Sequence, residues 1–217
     1  LDTFTELTAE LTAELTARKL QYSYYREKLL TFEEGEVEWK TLGEVVTLQR
    51  GKRLVRSQLE EAGKYAVYQN AMTPLGFYHE NNVKAYTTFI ICAGAAGEIG
   101  FSDVDFWAAD DVTVCITPDS LNNKFVYYCL QIQQHKIFSQ VRRASIPRLS
   151  KTVLEKLFIP IPSLEEQTRI VSILDKFDIL TTSISEGLPK EIELRKKQYE
   201  YYRDLLLTFP KNEIEND

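Results

Sequence analysis

A fifteen-residue stretch occurs twice in this 217-residue chain, at residues 18–32 and again at 195–209. Both copies carry Arg-Lys-x-Gln-Tyr-x-Tyr-Tyr-Arg and end in Leu-Leu-Thr-Phe, so eleven of the fifteen positions are identical. A looser echo lies upstream of each, where Leu1-Asp2-Thr3-Phe4 matches Leu174-Asp175-Lys176-Phe177. Copies 177 residues apart lie far outside the roughly 20–50-residue period of stacked repeat proteins. They imply two equivalent helices bracketing one globular insert.

The first copy sits in a seam with alternating steps of three and four. Phe4, Leu7, Leu11, Leu15, Arg18, Tyr22, Tyr25, Leu29 and Phe32 predict a helix over residues 1–32 that presents a heptad stripe to a partner helix. Within it Thr8-Ala9-Glu10-Leu11 recurs as Thr12-Ala13-Glu14-Leu15, and Gly35 is placed to cap its end. Toward the other terminus, Ser163 should N-cap a helix with Glu165 and Glu166 in its first turn, running to about Ser185. Gly187-Leu188-Pro189 breaks that helix, and Pro189 opens a last one to Phe209. The seam of this last helix is Ile192, Arg195, Tyr199, Tyr202, Leu206 and Phe209. Matching seams suit an antiparallel coiled coil of the two long helices, and packing of each helix on a partner chain satisfies the same pattern.

Between the helices the periodicity changes. Short apolar or alternating runs at Tyr65–Tyr68, Ala85–Cys92, Glu98–Phe101 and Val112–Thr117 are separated by turn chemistry such as Thr73-Pro74-Leu75-Gly76 and Glu80-Asn81-Asn82. Helices are expected near Leu42–Thr47 and from about Asn123 to Val141, and Ile159-Pro160-Ile161-Pro162 must be extended. The fold class is therefore α+β: a globular domain on a mixed, curved sheet, flanked by two long helices. The expected division is a spacer helix at 1–34, the globular domain at 35–162, a second helical region at 163–209 and an acidic tail at 210–217.

A hydrophobic share of 44% supports one proper core. No apolar run approaches the roughly 20 residues needed to span a membrane, so a cytoplasmic protein with no membrane partner is expected. Cys92, Cys115 and Cys129 lie in apolar surroundings and read as buried free thiols. Catalytic constellations are missing. Gly94-Ala95-Ala96-Gly97 lacks the Lys-Ser/Thr of a phosphate loop. His79 and His135 are isolated, and the adjacent Asp110 and Asp111 would point to opposite faces of a strand. No metal or cofactor site is expected in this chain.

The net charge of −6 argues against nucleic-acid binding, yet the cations are unevenly spread. Arg50, Lys52, Arg53 and Arg56 form one cluster, with the amides Gln69 and Asn70 close behind in sequence. Arg142, Arg143, Ser145, Arg148 and Lys151 form a second. Arginine suits guanine edges, amides suit adenine edges, and lysine and serine suit phosphates. Composition alone allows the same residues to be solvated surface charges.

Three stretches carry a family resemblance: Ile146-Pro147-Arg148-Leu149-Ser150, the run Leu157 to Val171 with its Ile-Pro-Ile-Pro-Ser-Leu-Glu-Glu-Gln core, and Leu174-Asp175-Lys176-Phe177. Together with the Arg-Lys-x-Gln-Tyr-x-Tyr-Tyr-Arg ending and the Thr-Ala-Glu-Leu repeat, they resemble the specificity subunit of type I restriction–modification systems. The middle of the chain resembles that family only at scattered marks, Gly94–Gly97, Trp107-Ala108-Ala109-Asp110 and Leu42-Gly43-Glu44. The resemblance implies a non-catalytic, DNA-binding subunit that reads one half of a bipartite double-stranded target. It also implies docking to methyltransferase subunits, which use S-adenosylmethionine, and to restriction/translocase subunits, which use ATP and Mg. Family members usually carry two recognition domains. One domain between two helices therefore looks like the C-terminal half of such a subunit, or a half-subunit that could pair as a homodimer.

A ruler function follows for the four-residue repeat. One unit adds roughly 6 Å of helix, against about 3.4 Å per base pair of DNA, so the Thr8–Leu15 repeats would help to set the spacing between half-sites. Two other classes compete: a helical scaffold that binds only protein partners, which the acidic charge favours, and an independent methyltransferase, which the missing motifs disfavour.

Overall fold

The computed structural model describes residues 2–183 and 187–208. It divides into two compact units, one of residues 26–171 and one of residues 1–25 with 172–217.

The globular unit follows the strand runs closely. In chain order it contains β1 (Glu38–Thr41), α1 (Leu42–Val45), β2 (Thr47–Arg50), a 3-10 turn at Arg56–Gln58, β3 (Tyr65–Tyr68) and β4 (Gly76–Tyr78). Then come β5 (Thr87–Ile91), β6 (Ile99–Ser102), β7 (Trp107–Ala108), β8 (Val112–Ile116), α2 (Asn123–Ile132), α3 (Gln134–Ser139), α4 (Lys151–Glu155) and β9 (Phe158–Ile161). The architecture is α+β, as expected, with a long helix toward each end of the chain. Its strands are spread over three open sheets rather than one: antiparallel β2-β8-β5-β6, three-stranded β4-β3-β7, and the ribbon β1-β9. The parallel pairing that makes the fold mixed is confined to β3 and β7, Val67 opposite Trp107 and Tyr68 opposite Ala108. Strands of two to five residues cannot carry a continuous sheet across the intervening turns.

The core lies on one face of the four-stranded sheet, where Phe89, Ile91, Phe106, Val112 and Val114 are buried. Tyr68 brings the second sheet to it, its ring 5.0 Å from Phe89 and 5.6 Å from Phe106. Burial of several such aromatic and branched side chains, at about 1.5–3 kcal/mol each, is what fixes the two sheets together. Asn123 ties α2 to β5 and β8: its Oδ1 accepts the Thr88 N–H at 2.6 Å and its Nδ2 donates to the Cys115 carbonyl at 2.7 Å.

The Leu-Glu-Glu-Gln run has a physical role here. Gln167 is fully buried, and its amide accepts the Asn122 N–H at 2.8 Å while donating to the Pro162 carbonyl at 2.9 Å. A single side chain thereby satisfies backbone groups at the start of α2 and at the exit from β9, where a shorter residue would leave them unpaired at about 1–3 kcal/mol each.

Two helix expectations need correction. The helix expected from Asn123 to Val141 is two helices, because the Gln133 N–H bonds to Leu130 O at 3.0 Å and its side chain turns to the Phe158 carbonyl at 2.9 Å. The first long helix, α5, spans Asp2–Leu29 and ends before Gly35 is reached. Gly35 sits at φ +86° in a later turn, whereas the helix already gives way to a turn at Leu30, which is 1% exposed.

The second unit is helical. It contains the greater part of α5, the end of α6 (Leu164–Thr182) and α7 (Gly187–Leu207). The expected end at Ser185, the seam residue Phe209 and the tail at 210–217 lie outside the described residues. Tyr22 and Tyr25 stack on Phe177 of α6, with ring centroids 6.2 and 5.5 Å apart. Phe4 stacks on Tyr202 of α7 at 5.7 Å. The early end of α5 thus meets the late end of α7, so the packing is antiparallel and within one chain. The seam expectation is sharpened in one respect: Tyr22 and Tyr25 meet α6, not α7, because equivalent positions on antiparallel helices fall at opposite ends. Leu11 and Tyr22 are buried, Leu15, Tyr25, Leu29, Ile192 and Tyr199 are half-buried, and Tyr202 and Leu206 are exposed. No helix among the described residues is long and apolar enough to cross a membrane.

Candidate nucleic-acid interface

The first basic cluster leaves β2 along a path that only glycine permits. A Cβ at Gly51 would stand 2.2 Å from the Ala109 carbonyl oxygen. The Gly51 N–H donates to Val112 O at 2.9 Å, the Lys52 N–H to Ala108 O at 2.9 Å, and the Trp107 indole to Lys52 O at 3.1 Å. With the backbone held, the Lys52 and Arg53 side chains face solvent while Leu54, 4% exposed, anchors the segment against Val67 and Trp107. Arg50 donates Nε to the Asp110 carbonyl at 2.5 Å, which leaves its terminal amino groups open.

The second cluster is mounted on the small-residue turn. Arg142 and Arg148 exchange backbone hydrogen bonds of 2.8 and 3.1 Å, closing the intervening residues into a tight loop. That loop is then fastened at its base: Leu149 N–H to Cys92 O at 2.9 Å, and Gly94 N–H to Pro147 O at 3.2 Å. On its other side the turn takes the amide segment, the Ala95 N–H donating to Asn70 O at 2.9 Å. Gly94 lies at φ +79°, and a Cβ there would stand 2.7 Å from the same Asn70 oxygen. Gly94–Gly97, which offered no chemistry as a sequence, is the joint that assembles the loops.

The two clusters meet. Arg50, Arg148 and Lys151 share the wall of a cavity of about 210 Å³ with Cys92, Asp110 and Asp111. Arg50 and Lys52 also line a second cavity of about 400 Å³, with Asn82, Lys84 and Tyr86. Arg53, Arg56, Arg142, Arg143 and Ser145 are exposed but line neither cavity, Asn70 is exposed, and Gln69 is half-buried. Among the described residues Lys52, Arg53, Arg56, Arg142, Arg143 and Arg148 have no ion-pair partner, whereas Lys151 pairs with Glu155 at 3.3 Å.

The remaining groups are quiet. All three cysteines are free. Burial pushes the Cys115 thiol up to about 12 and raises Cys129 as well, so both stay protonated. Burial also raises Cys92, whose thiol donates to Thr113 Oγ1 at 3.2 Å. His79 pairs with Glu60 at 2.5 Å on the surface. Sequence reasoning missed Lys84, Tyr86 and the joint role of Gly94. Tyr86 falls in the run Ala85–Cys92, read only as strand, Lys84 stands just ahead of it, and backbone handedness leaves no periodic signal.

A family model described as the type I restriction modification DNA specificity domain matches residues 34–194. The specificity subunit of the type I restriction enzyme EcoR124I/EcoR124II of Escherichia coli is 39% identical over 236 residues, covering 98% of this chain and 58% of that protein. A putative type I specificity subunit of Mycoplasma pneumoniae is 31% identical over 222 residues, covering 96% of this chain and 89% of its relative. In fold, the chain resembles the crystal structure of the type I restriction–modification S subunit from M. genitalium, with a TM-score of 0.71 at 22% identity over 97% of this chain and 59% of that one. The chain thus spans less than two thirds of the Escherichia coli relative and of that solved structure. By the family match over residues 34–194 and by the Mycoplasma relative matched along nearly its whole length, this chain belongs to the type I restriction–modification DNA specificity family.

Proposed function

We propose that the chain is a sequence-specific DNA-binding component of a type I restriction–modification complex and reads one half of a bipartite double-stranded target. The observation that carries this reading is the convergence of two basic clusters at Arg50, Arg148 and Lys151, in a chain of net charge −6 whose Lys52, Arg53, Arg142, Arg143 and Arg148 have no ion-pair partner among the described residues. A polyanion meets local potential rather than total charge, and cations without acidic partners are free to displace phosphate counterions. Arginines mounted on fastened loops can read guanine edges. A scaffold that binds only proteins gives these cations nothing to do.

The chemistry belongs to partners in this reading. Methyltransferase subunits would bring S-adenosylmethionine, and restriction/translocase subunits would bring ATP and Mg; this chain contributes recognition and docking. The repeat supports a docking role for α7. In the first copy Leu30 is 1% exposed, while its counterpart Leu207 is 58% exposed beside Leu205 and Leu206. A second globular unit of the same kind, supplied by a second copy of this chain, would cover that end as the first unit covers Leu30.

The test is a gel-shift on random-sequence duplex DNA with and without methyltransferase subunits, followed by sequencing of the retained duplexes. A short enriched motif supports DNA recognition. Subunit binding with no retained DNA would leave the scaffold alone.

A further inference from the structure

Tyr86 is the one residue other than glycine with a left-handed backbone among the described residues, at φ +58°. For a bulky side chain this is a strained conformation that persists only where the surroundings impose it. They do so from both sides: the Ala85 N–H donates to Asp105 Oδ1 at 2.8 Å, and the Thr88 N–H donates to Asn123 Oδ1 at 2.6 Å. The Thr88 hydroxyl donates in turn to the Asn123 carbonyl at 2.8 Å. Packing returns nothing for the strain. Tyr86 is 71% exposed, and neither its hydroxyl nor its ring has a partner among the described residues.

What the strained residue overlooks is the cavity of about 400 Å³ beside β2, whose cationic wall is Arg50, Lys52 and Lys84. Among the described residues Arg50 keeps its terminal amino groups open and Lys52 has no ion pair, so two cations there can take an anion. Lys84 is held by Asp105, the residue that also pins Ala85. An exposed aromatic face beside unpaired cations matches a duplex backbone, which offers a sugar face next to each phosphate.

We propose that Tyr86 is a DNA-contact residue of the recognition unit, its ring laid against the nucleotide whose phosphate is held by Arg50 and Lys52. The proposal rests on the DNA-binding reading above and assigns to that reading a residue outside both basic clusters. Tyr86→Asn and Tyr86→Gly keep a side chain or backbone that tolerates positive φ while removing the ring; Tyr86→Phe keeps the ring. The measurement is fluorescence anisotropy of the full chain on a pool of random-sequence duplex DNA, paired with thermal melting. Tyr86→Asn and Tyr86→Gly should melt no lower than wild type yet bind about tenfold more weakly, and Tyr86→Phe should bind as wild type. Wild-type affinity in Tyr86→Asn and Tyr86→Gly, or a loss that only tracks a lowered melting temperature, would overturn the proposal. Failure of the wild-type chain itself to bind duplex DNA would instead overturn the reading on which it stands.

Discussion

Tyr25 lies over Phe177 with ring centroids 5.5 Å apart, and the same contact is made a second time by other residues. Tyr202 is the repeat counterpart of Tyr25, Phe4 is the counterpart of Phe177, and those two rings stack at 5.7 Å. Each stack pairs the late aromatic of one repeat copy with the early aromatic of the other. The helical unit is therefore an antiparallel pair with an internal pseudo-twofold relation, written into the sequence as a duplicated helix. The stacks differ in support, since Phe177 touches both Tyr22 and Tyr25 whereas, among the described residues, Tyr202 alone stacks on Phe4. Phe177→Ala should cost about 2–4 kcal/mol and Phe4→Ala less, read by urea unfolding. A double-mutant cycle of Phe177→Ala with Tyr25→Ala should give a coupling of about 0.5–1.5 kcal/mol, and zero coupling would mean that the stack contributes nothing.

The Thr-Ala-Glu-Leu units lie between these stacks. Thr8, Thr12 and Thr16 return their hydroxyls to the carbonyls of Phe4, Thr8 and Thr12 at 2.7–3.0 Å, so each unit satisfies itself along the helix. Deleting Thr12–Leu15 should leave Tyr25 on Phe177 while drawing Phe4 about 6 Å away from Tyr202. In an assembled complex the spacer between methylated half-sites should change by about one to two base pairs. An unchanged spacer would refute the ruler.

The turn at Gly94 gives a stability prediction with a functional echo. Gly94→Ala places a Cβ against Asn70 O in a backbone region that only glycine enters freely. It should cost about 1–3 kcal/mol and weaken DNA binding as well, because the same turn fastens the Arg148 loop and the Asn70 segment. A destabilised variant that binds with wild-type affinity would show that the loops do not need this joint.

Much of this was legible beforehand, for physical reasons. Duplicated helices with a three-four seam announce themselves through spacing, and strands such as Tyr65–Tyr68 follow alternation between turn residues. Convergence was not legible, because Arg50 and Arg148 are joined by the pairing of β2 with β8 and by the bridge from Ala93 to Arg148, which no local pattern encodes. Nor was the break at Gln133, where a side-chain bond to a distant carbonyl outweighs a continuous helical stripe.

Acid should expose the support under Tyr86. The hydrogen bond from the Ala85 N–H, then the bond from Lys84, hold the Asp105 carboxyl below its ordinary value. A depressed folded pKa means that the stabilisation is complete above the unfolded value of about 3.9 and is lost as pH falls through the lower folded one. Asp105→Asn removes this dependence. Stability of the wild type should fall more steeply than that of Asp105→Asn below about pH 4, measured by chemical denaturation at stepped pH; parallel curves would contradict the assignment.

Salt separates the cations that touch phosphate from those that only sit at the surface. Lys52→Ala and Arg148→Ala should each reduce the slope of log affinity against log salt by about 1, whereas Arg56→Ala, lining neither cavity, should change it less. Equal slopes for all three variants would place the DNA face elsewhere.

The most direct measurement exchanges residues 38–161 for the matching segment of another family member, in a strain carrying this chain with its methyltransferase subunits, and maps methylated adenines across the genome. If this segment reads DNA, each half-site read by a copy of this chain changes while the spacer stays. A methylation map left unchanged by the exchange would contradict sequence recognition by this chain.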